Sequence, residues 1–164
     1  MDRNSSFEDG LTALLPRLRR FAHAIARNPA DADDLTQATV ERALRSKSQW
    51  QPGTRLDSWL YRIMRNLWID AVRGRGRKED LQVPVEEAEW ISTDPRQAME
   101  AAIDLKTAMA AMQRLPEDQR EVVALILVEG FGYRECSEIL GLPIGTVSSR
   151  LVRGRTALLQ MIGE

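Results

Sequence analysis

Within LDSWLYRIMRNLWIDAVRGRGR (residues 56–77), Arg62, Arg65, Asn66, Ile69 and Arg73 fall within one arc of about 100° when successive residues are set about 100° apart on a helix. Arg75, Arg77 and Lys78 continue the line of cations. Guanidinium groups in such a row fit ionic contact with successive phosphates, which is rewarded by counterion release. A helix face that is merely solvated tends to carry acids at four-residue spacing. Here only Asp57 and Asp70 are acidic, so the row reads as a nucleic-acid contact. The preceding stretch KSQWQPGTRLD adds Trp50 and Arg55, and an exposed aromatic beside cations is a platform for an unpaired base. Trp59 and Trp68 are read instead as core.

A second set of polar side chains lies near the C-terminal end. GYRECSEILGLPIGTVSSRLVRGRTALL (132–159) reads as two helices, 133–140 and 144 to about 161, around a Gly141-Leu142-Pro143 turn. In a helix-turn-helix the N-terminal part of the second helix enters the major groove. That makes Thr146, Ser148, Ser149, Arg150 and Arg153 the candidates for DNA contact, with Arg155 beyond them. The small residues Gly145, Ser148 and Ser149 permit close approach.

Other chemistry finds no support. Asp31, Asp33 and Asp34 could suggest a magnesium cluster, but the chain has no glycine-rich phosphate loop, so they are read as a helix N-terminus. His23 is the only histidine and Cys136 the only cysteine, too few for a zinc site or a disulfide. No serine or cysteine has an evident base. No catalysis, cofactor or metal is expected.

The elements that must position these residues are helical throughout. Leu11, Leu14, Leu15, Leu18, Phe21, Ala22 and Ile25 recur at helical spacing, with Pro16 marking a start or a kink. A helix over 29–45 begins with Asn28 as N-cap and Pro29 at its first position. Pro52-Gly53 marks a loop, and a helix follows from about Asp57 to Val72, with Leu60, Ile63, Met64, Leu67 and Ala71 as its core stripe. Further helices are expected from near Pro95 and over 117–129. Ile139, Leu140, Val147, Leu151, Leu158 and Leu159 are expected inside the hairpin.

Charge divides the chain. Residues 1–78 carry 15 Lys/Arg against 9 Asp/Glu, residues 79–113 carry 2 against 8, and residues 114–164 carry 6 against 7. Two small helical domains, 1–78 and 95–164, joined by an acidic linker over 79–94, account for this pattern. The start lacks an apolar signal core and no stretch approaches a membrane span, so a cytoplasmic protein without membrane insertion is expected. A phosphorylatable receiver would need alternating strands and helices, which the first half lacks.

The order of these parts resembles the extracytoplasmic-function (ECF) sigma factors, promoter-specificity subunits of bacterial RNA polymerase. DADDLTQATVERAL is similar to the family's segment that binds the polymerase clamp helices, which implies core-polymerase contacts at Asp31, Asp33, Asp34, Leu35, Gln37 and Glu41. The resemblance implies that 1–78 is sigma region 2, which captures a flipped base of the −10 element and opens it. Trp50, Arg55, Arg62, Arg65, Asn66, Arg73, Arg75 and Arg77 would face that strand, and Asn66 aligns with a recurrent family asparagine. It implies that 95–164 is sigma region 4, reading the −35 duplex. Ser148 stands where many members carry Arg or Lys, which leaves more of that contact to Arg150 and Arg153. Core polymerase, promoter DNA and an anti-sigma factor are the implied partners. The WQPGT loop and the C-terminal part resemble the branch used in the general stress response. The alternative is a sigma-like mimic that sequesters an anti-sigma factor without binding DNA; the retained arginines on both faces argue against it.

Overall fold

A computed structural model describes residues 3–75 and 106–162. The expected linker 79–94, the helix start near Pro95, and Arg77 and Lys78 lie outside the described residues. Every element among the described residues is helical.

α1 (Arg3–Ile25) carries Pro16 in its interior rather than at its start. Its buried side chains, Phe7, Leu11, Leu18, Phe21, Ala22 and Ile25, follow the spacing of one helix face. α2 (Pro29–Arg45) starts as its sequence dictates. Asn28 Oδ1 accepts the Asp31 N–H at 2.8 Å and Pro29 occupies the first turn, where no donor is missed. Ala32, Leu35, Thr39 and Ala43 form its buried stripe, and the wholly buried Thr39 hydroxyl is satisfied by the Leu35 carbonyl at 2.7 Å. A 3-10 turn (Lys47–Gln49) leads into a turn in which Gly53 takes φ +93°, a left-handed conformation that favours glycine. α3 (Leu56–Arg75) then packs on α1 and α2.

The second group begins with a helix, α4, over 106–113. α5 (Glu117–Val123) widens into a π-helical stretch (Ala124–Val128), so the expected single helix over 117–129 changes pitch midway. α6 (Tyr133–Leu140) ends at Gly141, whose φ is +67°, and α7 (Ile144–Ile162) follows. Val147, Leu151 and Gly154 of α7 are buried, and α7 packs on α5 and α6.

Two expected core positions are corrected. Ala71 is exposed, whereas Tyr61 is buried because α3 is covered on a second flank by the second group of helices; Trp68 is buried, as its reading as core expects. Leu159 is 58 % exposed, since the covered stripe of α7 runs through Val147, Leu151, Gly154 and Leu158 and leaves Leu159 on the far side. The two helical groups lie against each other, α5 on α1 and α6 on α3.

Candidate nucleic-acid interface

Three surfaces carry the residues singled out in the sequence. The first is the basic flank of α3 with the loop before it. Arg62, Asn66 and Arg73 are exposed, and Arg65 and Ile69 are half-buried. Trp50 is not a free platform: its ring packs on Phe7, centroids 5.7 Å apart, and its indole N–H is enclosed without a partner. Arg55 is exposed and bridges to Asp57 at 2.8 Å. Burial works against the Asp57 carboxylate, but the Arg55 guanidinium, the Ser58 N–H and the charge of Arg17 outweigh it and hold its pKa below the ordinary value. Arg75 closes α3.

The acids that this flank lacks in sequence are supplied by the second group of helices. Arg62 Nη2 donates to the Glu138 carbonyl at 2.6 Å, and Arg65 Nε lies 3.4 Å from Glu121 Oε2. Trp68 Nε1 donates to Glu117 Oε1 at 2.9 Å, and Arg55 also pairs with Glu135. Burial pushes the Glu121 carboxyl upward, opposed by the charge of Arg65. One acid is wholly enclosed: the Glu129 carboxylate accepts from Arg20 Nε at 2.9 Å, Arg20 Nη2 at 2.6 Å and the Tyr61 hydroxyl at 2.9 Å. Arg17 Nε stands 3.7 Å away, and the side chain of Glu129 has no exposed surface. The hydrogen bond to Glu129 raises the pKa of Arg20.

These contacts escaped the sequence reading. The available signal was Glu121 and Glu129 bracketing the apolar run VVALILV, where a carboxylate needs a partner to be tolerated.

The second surface is α7. Thr146, Ser149, Arg150 and Arg153 fall on one face, with Arg153 exposed and Arg150 Nε 3.7 Å from Asp118 of α5. Arg153 Nε donates to the Ser149 carbonyl at 3.4 Å. Ser148 and Arg155 are not brought together with them. At about 100° per residue they lie roughly 150° round the helix, beside the exposed Val152 and Leu159.

The third surface is α2. Asp33, Asp34, Gln37 and Glu41 are exposed along it, while Asp31 is tied to the N-cap through Asn28. Leu35 is buried, so it supports that face from the core rather than presenting itself. Asp33 engages Arg19 at 3.6 Å and His23 at 3.5 Å. Burial lowers the His23 pKa, only partly offset by Asp33.

Among the described residues, no group of three or more His, Cys, Asp and Glu is placed to hold a metal ion, and no helix is long and apolar enough to cross a membrane. Cys136 is buried, and burial pushes its thiol up to about 12.

The two helical groups have known counterparts. Residues 11–78 match the family described as sigma-70 region 2, and residues 105–158 match sigma-70, region 4. The ECF RNA polymerase sigma factor EcfG of Rhodopseudomonas palustris (strain TIE-1) is 37% identical over 158 residues, which is 96% of this chain and 86% of EcfG. The ECF RNA polymerase sigma factor SigE of Mycolicibacterium smegmatis is 42% identical over 151 residues, 87% of this chain and 56% of SigE. The sigma factor RpoE of Bartonella quintana, solved in complex with the anti-sigma factor NepR, superposes with a TM-score of 0.82 at 31% identity. That match covers 96% of this chain and 97% of RpoE. The chain belongs to the ECF sigma factors of the sigma-70 family. Its relatives are regulatory subunits of transcription rather than enzymes.

Proposed function

We propose that the chain docks on core RNA polymerase through the exposed face of α2, reads the −35 duplex with α7, and captures the −10 strand with α3 and the loop before it. In this reading residues 1–78 form the first module, 79–94 the linker and 95–164 the second. Binding energy alone drives opening, without catalysis or cofactor, and the chain acts in the cytoplasm. Extruding a base costs a few kcal/mol. Stacking recovers roughly 1–3 kcal/mol per base, and phosphate contacts from Arg62, Arg65 and Arg73 add to that. Trp50 takes part only after leaving Phe7. The observation that carries the reading is the presence, on a chain matching regions 2 and 4, of two separate basic rows: Arg62, Arg65 and Arg73 on α3, with Asn66 among them, and Arg150 and Arg153 on α7. Control by an anti-sigma factor is supported by RpoE, which is seen bound to one.

Run-off transcription with purified core polymerase and a pool of promoter fragments tests this. Transcripts that appear only on adding the protein are expected. Arg150→Ala with Arg153→Ala should cut −35-dependent transcripts by about tenfold or more, as each lost contact costs roughly 1–3 kcal/mol. Holoenzyme should still form, and unchanged transcription removes α7 from the −35 site. Asp34→Ala with Gln37→Ala should lower the holoenzyme fraction on gel filtration; an unaltered fraction removes that face of α2 from the docking surface.

A further inference from the structure

The loop before α3 is tied down from another helix. Phe7, in the second turn of α1 and only 2 % exposed, meets an indole on each flank of that loop. The Trp50 ring lies 5.7 Å from it, tilted by 50°, and the Trp59 ring 5.9 Å from it, edge-on at 74°. Both are arrangements in which aromatic pairs attract. Trp50 precedes the loop and Trp59 stands in the first turn of α3, so one side chain bridges the two ends of the stretch 51–58. One turn further along, α1 runs close against the start of α3: a Cβ on Gly10 would lie 2.7 Å from Leu56 Cδ2.

The hydrogen bonds within the loop are short-range. Trp50 N–H donates to the Lys47 carbonyl and Thr54 N–H to the Gln51 carbonyl, both at 3.2 Å, and the Thr54 hydroxyl donates to that same carbonyl at 2.6 Å. Such bonds close a turn but do not place it on the module. Residues 51–55 are all exposed, and Arg55 at the far end bridges to Asp57 at 2.8 Å. Ring packing rather than hydrogen bonding holds Trp50, whose indole N–H is enclosed with no partner among the described residues. A buried donor left unmet is unfavourable, so the ring contacts must outweigh that cost for the indole to stay.

We propose that Phe7 is a positioning residue for −10 recognition: by tying Trp50 to Trp59 it fixes the loop in the shape that meets the flipped base, although its own ring is enclosed and reaches no DNA. This rests on the reading of the loop as part of the −10 site. In this role Trp50 is the foot of the loop, and Gln51, Thr54 and Arg55 are the side chains left to face the base. A loop already in shape does not have to be ordered at the moment of binding, which spares affinity. A loop that holds the competent shape one part in ten binds about tenfold more weakly than one that holds it throughout.

The test uses the full chain assembled with core polymerase, on promoter fragments randomised across the −10 element. Phe7→Ala should lower the affinity for a single-stranded −10-like oligonucleotide about tenfold and flatten the base preference read from the run-off transcripts. Affinity for the −35 duplex selected from the same fragments should stay as in the parent. A merely structural loss would instead lower all transcripts in proportion and leave the base preference intact. If Phe7→Ala loses helicity, Phe7→Leu, which keeps apolar volume and removes the ring contacts, is read the same way with a smaller loss. An unchanged base preference in the folded variant overturns the positioning role, and so does an equal loss of affinity for the −35 duplex. Gln51→Ala with Thr54→Ala decides separately whether the loop meets the −10 strand. If that pair leaves the base preference as in the parent, the reading of the loop falls and the proposal with it. If the pair alters the preference while Phe7→Ala does not, the role of Phe7 alone is overturned.

Discussion

Gly154→Leu is expected to unfold the second module at temperatures where the parent chain is intact. A Cβ at this position would lie 2.8 Å from Val123 Cγ2, 3.3 Å from Gln119 Cβ and 3.5 Å from the Gln119 carbonyl oxygen. Val123 is itself wholly buried, so it has little room to yield. The residue is where α7 touches α5, and the contact holds the helix bearing Arg150 and Arg153 at its angle. Glycine inside a helix costs about 1 kcal/mol relative to alanine, but here the clash of any Cβ with Val123 offsets that gain in propensity. Leucine forces three further carbons into a packed seam, and overpacking of this kind costs roughly 1–3 kcal/mol or more. For a domain of this size about 3 kcal/mol corresponds to a drop in Tm of roughly 12–24 °C. Far-UV circular dichroism melts measure it, and a −35 duplex shift assay at 37 °C should lose binding in parallel. A Gly154→Leu chain that melts within 2 °C of the parent would show that α5 and α7 separate freely at this point.

The positions of the elements were legible where a backbone requirement picks a residue type. Asn28 and Pro29 announce the start of α2, and Gly141 with Pro143 announces the break before α7, because few residues satisfy those geometries. The periodic stripe of α1 was legible for the same reason: one helix with one buried flank leaves a simple pattern. α3 was only half legible. It is covered on two flanks, so Tyr61 is buried outside the expected stripe while Ala71 is not. No single-helix pattern encodes a second neighbour that arrives from residues 117–140.

The same limit applies to the candidate interface. The cations of α3 were plain in the sequence, but the partners of Arg65 and Arg62 lie 56 and 76 positions away along the chain. Local spacing therefore pictured a row of free guanidiniums where the fold supplies carboxylates. Trp50 shows the converse. Its neighbours in sequence are polar, yet Phe7 at the other end of the first module reaches it. On α7 the candidates share one short segment, but helical geometry separates Arg155 and Ser148 from Arg150 and Arg153. Residue type was readable; the direction each group faces required the three-dimensional arrangement.

Tyr61 is where the packing of the first module and the contact with the second meet, and two substitutions separate its roles. Its ring, wholly buried, sits 4.9 Å from Phe21 of α1 and 5.0 Å from Phe131, while its hydroxyl donates to Glu129 at 2.9 Å. Tyr61→Ala removes the ring and should cost about 4 kcal/mol, the range for truncating a buried aromatic. Tyr61→Phe keeps the ring and deletes one donor to a charged acceptor, which costs roughly 1.5–3 kcal/mol. The lower end is expected, because both Arg20 donors remain on Glu129. Urea unfolding followed by tryptophan fluorescence and circular dichroism measures both. Equal losses for the two variants would assign the whole effect to the hydroxyl and none to the ring. The pH dependence supplies a second reading. Burial, then the negative charge of Glu129, raises the Tyr61 pKa above the ordinary value of 10.0. A group whose folded pKa lies above its unfolded one contributes stability that is present below the unfolded value and is lost progressively as pH rises past it. The parent chain should therefore lose stability above about pH 10, where an unfolded tyrosine ionises. Tyr61→Phe, which has no proton to lose, should fall less steeply over the same range. Parallel slopes would mean that neither burial nor Glu129 raises the phenol's pKa in the folded chain.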